Sequence, residues 1–297
     1  MVKGKNVNLF LIDGEVTGRI KCTLANWTGV VYKIPRSLLA ESKSIDALQQ
    51  SAIYMLFGTN DDNEPQVYIG QAGVRKNEDG ALRRLMEHDT DEKKDFWSEA
   101  IILTTSNDSF GPTDLNYLEN RYFNLVLETK RYKLFNNVEP SKGNVTEEKV
   151  SELEGYIEFS NLPIGLLGKK LLTPIDETTE DLSKVDRRLY LSQRVGGEDI
   201  KGFARETNEG FLLLKGSKVS HKWAPKLSEV LKSKRDAIPK DENNCILEDI
   251  MFTSPSAAAM FLTGQSMNGL IAWKTKKGIT LKEHRDKSNF KKLQKII

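Results

Sequence analysis

AIYMLFGTNDDNEPQVYIGQA, residues 52–72, is the stretch whose reading decides the fold of the first half of the chain. Two runs rich in β-branched and aromatic residues, 52–58 and 66–72, flank TNDDNEP, whose Asn, Asp and Pro content is turn chemistry. This predicts a β-hairpin. Alternation along the strands then lets Tyr54 and Tyr68 point to one shared face.

Upstream of the hairpin, VNLFLI, GRIKCTL and GVVYKIP read as short strands of an N-terminal β-rich extension (1–48), and SLLAESKSIDALQQ after Pro35 has helical spacing. Downstream, ALRRLMEHD starts a helix after Gly80, and DFWSEAIILTT runs from a helix end into a strand. In DLNYLENRYFNLVLETKRY (114–132), apolar residues at 115, 118, 122, 125 and 126 make the stripe of an amphipathic helix, starting at an Asp cap. Residues 146–160 form a polar helix, and 161–184, with two prolines and two glycines, reads as a connector. Beyond it LYLSQRV, KGFARE and GFLLLKG are strands, SPSAAAMFLTG is a capped helix, and Asn268-Gly269 marks a tight hairpin. The expected class is α+β: a small antiparallel sheet flanked by helices over 49–145, with the N-terminal β extension before it. A helix and connector (146–184) and a second small α+β domain (185–297) follow.

Composition supports two modest cores, with 38% hydrophobic and 29% charged residues in 297. No apolar run reaches the roughly 18 residues of a membrane span, and Asp13 and Glu15 interrupt the N-terminal apolar stretch, so a cytoplasmic location is expected. Cys22 and Cys245 form no CxxC pair and read as structural thiols. Charge is uneven. Residues 201–297 hold 19 Lys and Arg against 10 Asp and Glu, a balance of +9, which leaves −7 for the first 200. A basic second half suits a polyanion such as DNA.

Within 52–137, Tyr54, Tyr68, Arg84, His88 and Glu119 are polar groups on otherwise apolar elements. Arg84 and His88, four apart, share a helix face, and Glu119 lies among Leu115, Leu118 and Tyr122. Phosphodiester hydrolysis needs a hard cation on oxygen ligands, a fixed positive charge for the phosphate and a group to handle water, and these residues offer all three. By usage alone each is also ordinary: a packed strand tyrosine, a helix histidine, a glutamate paired with Arg121.

The order and wording of these elements resemble the GIY-YIG nuclease family. Its two tripeptides correspond to Ala52-Ile53-Tyr54 and Tyr68-Ile69-Gly70, its Arg and His to Arg84 and His88 in RLMEH, its Leu-Glu pair to Leu118-Glu119, and its later Asn to Asn136, with Asn137 as the fallback. The resemblance implies a metal-dependent DNA endonuclease of restriction, defence or mobile-element biology. In it Glu119 holds one Mg²⁺ or Mn²⁺ ion, Arg84 grips the scissile phosphate, and Tyr68 handles the attacking water. Tyr54, His88 and Asn136 complete the catalytic set. Double-stranded DNA is the implied partner, and a homodimer on DNA would allow both strands to be cut. Two departures, Ala52 for the first glycine and Gln71 for a lysine common in the family, favour the alternative of a weak or silent DNA-binding protein. The long interval from Tyr68 to Arg84 implies an inserted loop, whose Arg75 and Lys76 are candidates for DNA contact.

The stretch SPSAAAMFLTGQSMNGLIAWKTKKGITLKEH (254–284) resembles a C-terminal domain of unknown function that follows some GIY-YIG and restriction-associated proteins, and more loosely the restriction and adenine-methyltransferase associated domain. Lys215, Lys218, Lys222, Lys274, Lys276 and Lys277, with Trp223 and Trp273 as aromatic platforms, are its candidate nucleic-acid contacts.

Overall fold

A computed structural model of the chain describes residues 4–60, 63–73, 80–173, 188–207, 209–225 and 227–286. The class is α+β, and the chain divides into two compact units, Met1–Ile175 and Asp176–Ile297. Among the described residues no helix is long and apolar enough to cross a membrane.

The first unit is built on a seven-stranded sheet in the order β1-β2-β3-β6-β4-β5-β7. Its strands are β1 (Val7–Leu11), β2 (Ile20–Leu24), β3 (Gly29–Pro35), β4 (Ala52–Thr59), β5 (Pro65–Ala72), β6 (Trp97–Thr105) and β7 (Lys133–Leu134). The hairpin of β4 and β5 forms in the register Tyr54↔Gly70 and Leu56↔Tyr68. The three N-terminal strands extend the same sheet, with β3 pairing to β6 from Gly29↔Thr105 to Pro35↔Glu99. Among the described residues of this sheet only β5 and β7 run parallel, over two pairs.

Strand β4 is buried on both faces, which explains its unbroken apolar sequence. Tyr54 and Leu56 point to a core with Leu82 and Leu85 of α1 (Ala81–Asp89), whereas Ile53, Met55 and Phe57 point to the opposite core, with Leu118 and Tyr122 of α2 (Pro112–Thr129) and Ile157 of α3 (Glu147–Leu166). Two further expectations change. SLLAESKSIDALQQ is three short 3-10 turns, Arg36–Leu38, Ala40–Ser44 and Asp46–Gln49, because Ile45 is extended and breaks the run. Asp114 is not the first cap of α2: Gly111 holds that position, and Asp114, one turn in, accepts the Gly111 N–H at 3.0 Å.

The second unit holds a five-stranded sheet, β11-β10-β9-β8-β12, made of β8 (Leu189–Val195), β9 (Glu198–Thr207), β10 (Gly210–Leu213), β11 (Ile250–Phe252) and β12 (Lys274–Thr275). Helices α4 (Glu229–Ala237), α5 (Pro255–Thr263) and α6 (Gly269–Ala272) complete it. Ser254 caps α5 by accepting the Ala257 N–H at 3.1 Å. Asn268-Gly269 is not a hairpin turn. Asn268 instead caps α6, accepting from Leu270 N at 3.0 Å, and Gly269 lies where any Cβ would collide with the Pro255 backbone at 2.2 Å.

Candidate active site

Tyr54, 1% exposed, lies beneath α1 and directly across from Gly70. A Cβ on Gly70 would come within 2.4 Å of the Tyr54 hydroxyl, so the glycine of the second tripeptide is there to seat the tyrosine of the first. Tyr68 stands on the same face, its ring centroid 6.2 Å from that of Tyr54. From α1, His88 Nε2 comes within 2.8 Å of Tyr54 Oη, and the imidazole sits 5.3 Å from the Tyr68 ring. One turn earlier, Arg84 forms a 2.6 Å ion pair with Glu87 and borders a cleft of about 120 Å³ with Gln71, Gly73, Gly80 and Glu87.

Glu119 approaches from the other side. Helix α2 packs on the opposite sheet face, and Glu119 is held at β5 by Gln71, whose amide donates to its Oε2 at 2.9 Å and to Asn116 Oδ1 at 2.6 Å. Beyond Gln66 and Val67 no strand pairs with the outer edge of β5 among the described residues; the Asn136 side chain engages Ile69 there, and Gln71 meets Glu119 two residues further on. Burial pushes the Glu119 carboxyl up, partly offset by the Gln71 hydrogen bond and by Arg84. Burial also pushes the Tyr54 and Tyr68 phenols up; the negative charge of Glu119 adds to both and Arg84 opposes it.

Asn136 has a different place from the other five. Its Oδ1 accepts the Ile69 N–H at 2.9 Å and its Nδ2 donates to the Ile69 carbonyl at 2.8 Å, so the side chain acts as a strand partner for β5 just past the end of β7. It positions Tyr68-Ile69-Gly70. Asn137 is exposed. Arg75 and Lys76 lie outside the described residues.

One residue went unread in the sequence. Lys94, in the short turn Glu92–Lys94 after α1, places Nζ 3.0 Å from His88 Nδ1 and 4.0 Å from the centroid of the Tyr68 ring. Its place in a run of charged residues, DEKKD, marks it as solvated surface, and only the fold turns it inward.

Among the described residues no three His, Cys, Asp or Glu side chains gather to make a protein cage for a metal. What the site offers is a half-buried carboxylate, Glu119, whose desolvation an added cation would relieve. Such a donor suits a hard ion that keeps most of its water, as Mg²⁺ does.

In the second unit the candidate contacts divide. Trp273 is no platform: it is fully buried, 5.1 Å from Phe211, and donates from Nε1 to the Pro255 carbonyl at 2.9 Å. Trp223 is 47% exposed, beside Lys222, whose Nζ reaches the Gly196 carbonyl at 3.2 Å in the β8–β9 turn. Lys274, Lys276 and Lys277 are exposed where β12 meets the start of β8. The length of β8 puts roughly 20 Å between these two groups. Lys215 and Lys218 follow β10, on the far side of β9 from β8. Lys274 and Lys276 also border a cavity of about 330 Å³ with Tyr190, Ser192, Gln193 and Thr275.

No curated protein and no solved structure matches the chain. The region 193–285, nearly all of the described part of the second unit, matches the family model DUF4357, a domain of unknown function.

Proposed function

We propose that the first unit is a metal-dependent endonuclease that hydrolyses phosphodiester bonds in DNA, and that the second, basic unit contacts the same DNA. The observation that carries this is the convergence of Tyr54, Tyr68, Arg84 and His88 on one sheet face with Glu119 at the adjoining strand edge. These five residues lie on four separate elements, β4, β5, α1 and α2.

In this reading Glu119 holds the cation, which supplies Lewis-acid stabilisation at the phosphate and a more acidic water. Arg84, at the mouth of the cleft, exchanges Glu87 for a phosphate oxygen and balances the charge that develops there. The Tyr68 hydroxyl orients the attacking water. Tyr54 and the neutral imidazole of His88 hold that hydroxyl in place, since burial, Lys94 and Arg84 keep the His88 pKa down at about 4. DNA binding without useful turnover is favoured by one contact, the Gln71 amide on the Glu119 carboxylate, which occupies an oxygen the cation would use.

Cleavage of supercoiled plasmid, unmodified and base-modified, separates the two. Nicking that requires Mg²⁺, stops with a chelator and falls by about a hundredfold or more in Glu119→Ala supports the nuclease. Intact plasmid on every substrate, with DNA still bound, supports the silent binder.

A further inference from the structure

We propose that Lys94 is a positioning residue of this site: its ammonium selects the tautomer of His88 and locks the imidazole and the Tyr68 ring into one fixed arrangement. The inference rests on the nuclease reading for its catalytic consequence, but its structural content stands apart from it.

An ammonium has only N–H to offer, so His88 Nδ1, 3.0 Å from Lys94 Nζ, is the unprotonated ring nitrogen. The proton then sits on Nε2 and is donated to Tyr54 Oη, 2.8 Å away. With that lone pair taken, the Tyr54 hydroxyl proton must point to another acceptor, away from His88. The direction of hydrogen bonding through Lys94, His88 and Tyr54 is therefore set from the lysine end. The same ammonium lies 4.0 Å over the Tyr68 ring, so one cation fixes two of the rings that touch the reacting region.

Lys94 is itself held. Asp91 caps its turn, accepting from Lys93 N at 3.1 Å, and the Lys94 N–H bonds the Asp91 carbonyl at 2.8 Å. Arg36 clamps both ends of the segment through Asp89 at 2.6 Å and Asp95 at 2.7 Å. A surface lysine needs no such frame. Lys94 and Arg84 are the cations acting on His88. The remaining groups that face the imidazole are Tyr54, Tyr68, Glu87 and Asp91.

The test uses Lys94→Met, which keeps the aliphatic stem, and Lys94→Arg, which keeps the charge. The chain has three histidines, so the His88 ring nitrogens are assigned by ¹⁵N NMR after replacing His221 and His284 in turn. The wild type is expected to show the Nε2–H form only. Lys94→Met should show mixed tautomers and an imidazole that protonates at higher pH, because a neighbouring cation is gone. In plasmid nicking with Mg²⁺, Lys94→Met should turn over about tenfold more slowly with duplex affinity unchanged within about twofold, and its acid limb should move to higher pH. Lys94→Arg should restore most of the rate. An unchanged His88 tautomer in Lys94→Met overturns the inference. If the wild type cuts nothing, the nuclease reading falls while the NMR result still decides the role of Lys94.

Discussion

His88 shows how a single side chain ties the candidate site to stability. It is 3% exposed, and burial, reinforced by Lys94 and Arg84, lowers its pKa to about 4 from the ordinary 6.5. The folded chain thus resists a proton that the unfolded chain accepts, so between these values stability rises with pH, by at most about 1.4 kcal/mol per unit. The contribution is fully present above pH 6.5 and is lost as pH falls through about 4. Hydrogen exchange of the β4 amides should accordingly show a protection that drops on acidification, with a flatter pH slope in His88→Gln. A slope unchanged by that substitution would mean that another group carries the acid sensitivity.

Among the elements, β5 is the one whose support was hardest to see in advance. The hairpin itself was legible because residues 52–58 and 66–72 are apolar, β-branched and separated by turn chemistry, and because β4 is buried on both faces. Helix α2 was legible from its stripe. The three N-terminal strands were legible one by one, but their pairing was not, since β3 meets β6 rather than the hairpin that follows it and no local pattern encodes a partner some seventy residues away. In the site, Tyr54, Tyr68, Arg84, His88 and Glu119 could be named because their order and wording resemble a nuclease family's motifs, spacing alone leaving each of them ordinary, whereas Lys94 could not, because its role depends on where a polar turn comes to rest. Nor did the sequence show that Asn136 acts as a strand: with β7 only two residues long, this one amide continues the pairing of β5 past Val67. Asn136→Ala strips Ile69 of both partners and should cost about 1–3 kcal/mol. The Ile69 amide should then exchange much faster than its β4 neighbours, and plasmid nicking should weaken without any change in the metal requirement.

Across the whole chain, the uneven charge and the scattered lysines bear on how DNA would be held. The Lys215–Lys222 segment with Trp223, which runs beside β9, and the Lys274–Lys277 group at the start of β8 occupy separate places on the second unit, so they would grip a duplex at several phosphates rather than form one pocket. Replacing Lys274, Lys276 and Lys277 together by Gln should lower the slope of log affinity against log salt by up to about 3. Fluorescence anisotropy over a range of salt measures it. An unchanged slope would take these three lysines out of the interface.

The strand order β3-β6-β4 places the last of these three to be synthesised between the other two. During translation, therefore, a nascent chain that ends short of Thr105 holds two half-sheets with no strand to join them, each with an open edge of apolar residues such as Val31, Ile53 and Met55. Exposed edges of that kind attract other chains. The first unit must emerge past β6 before any of it is safe, which makes premature termination within the first hundred residues a route to aggregation rather than to a smaller working fragment.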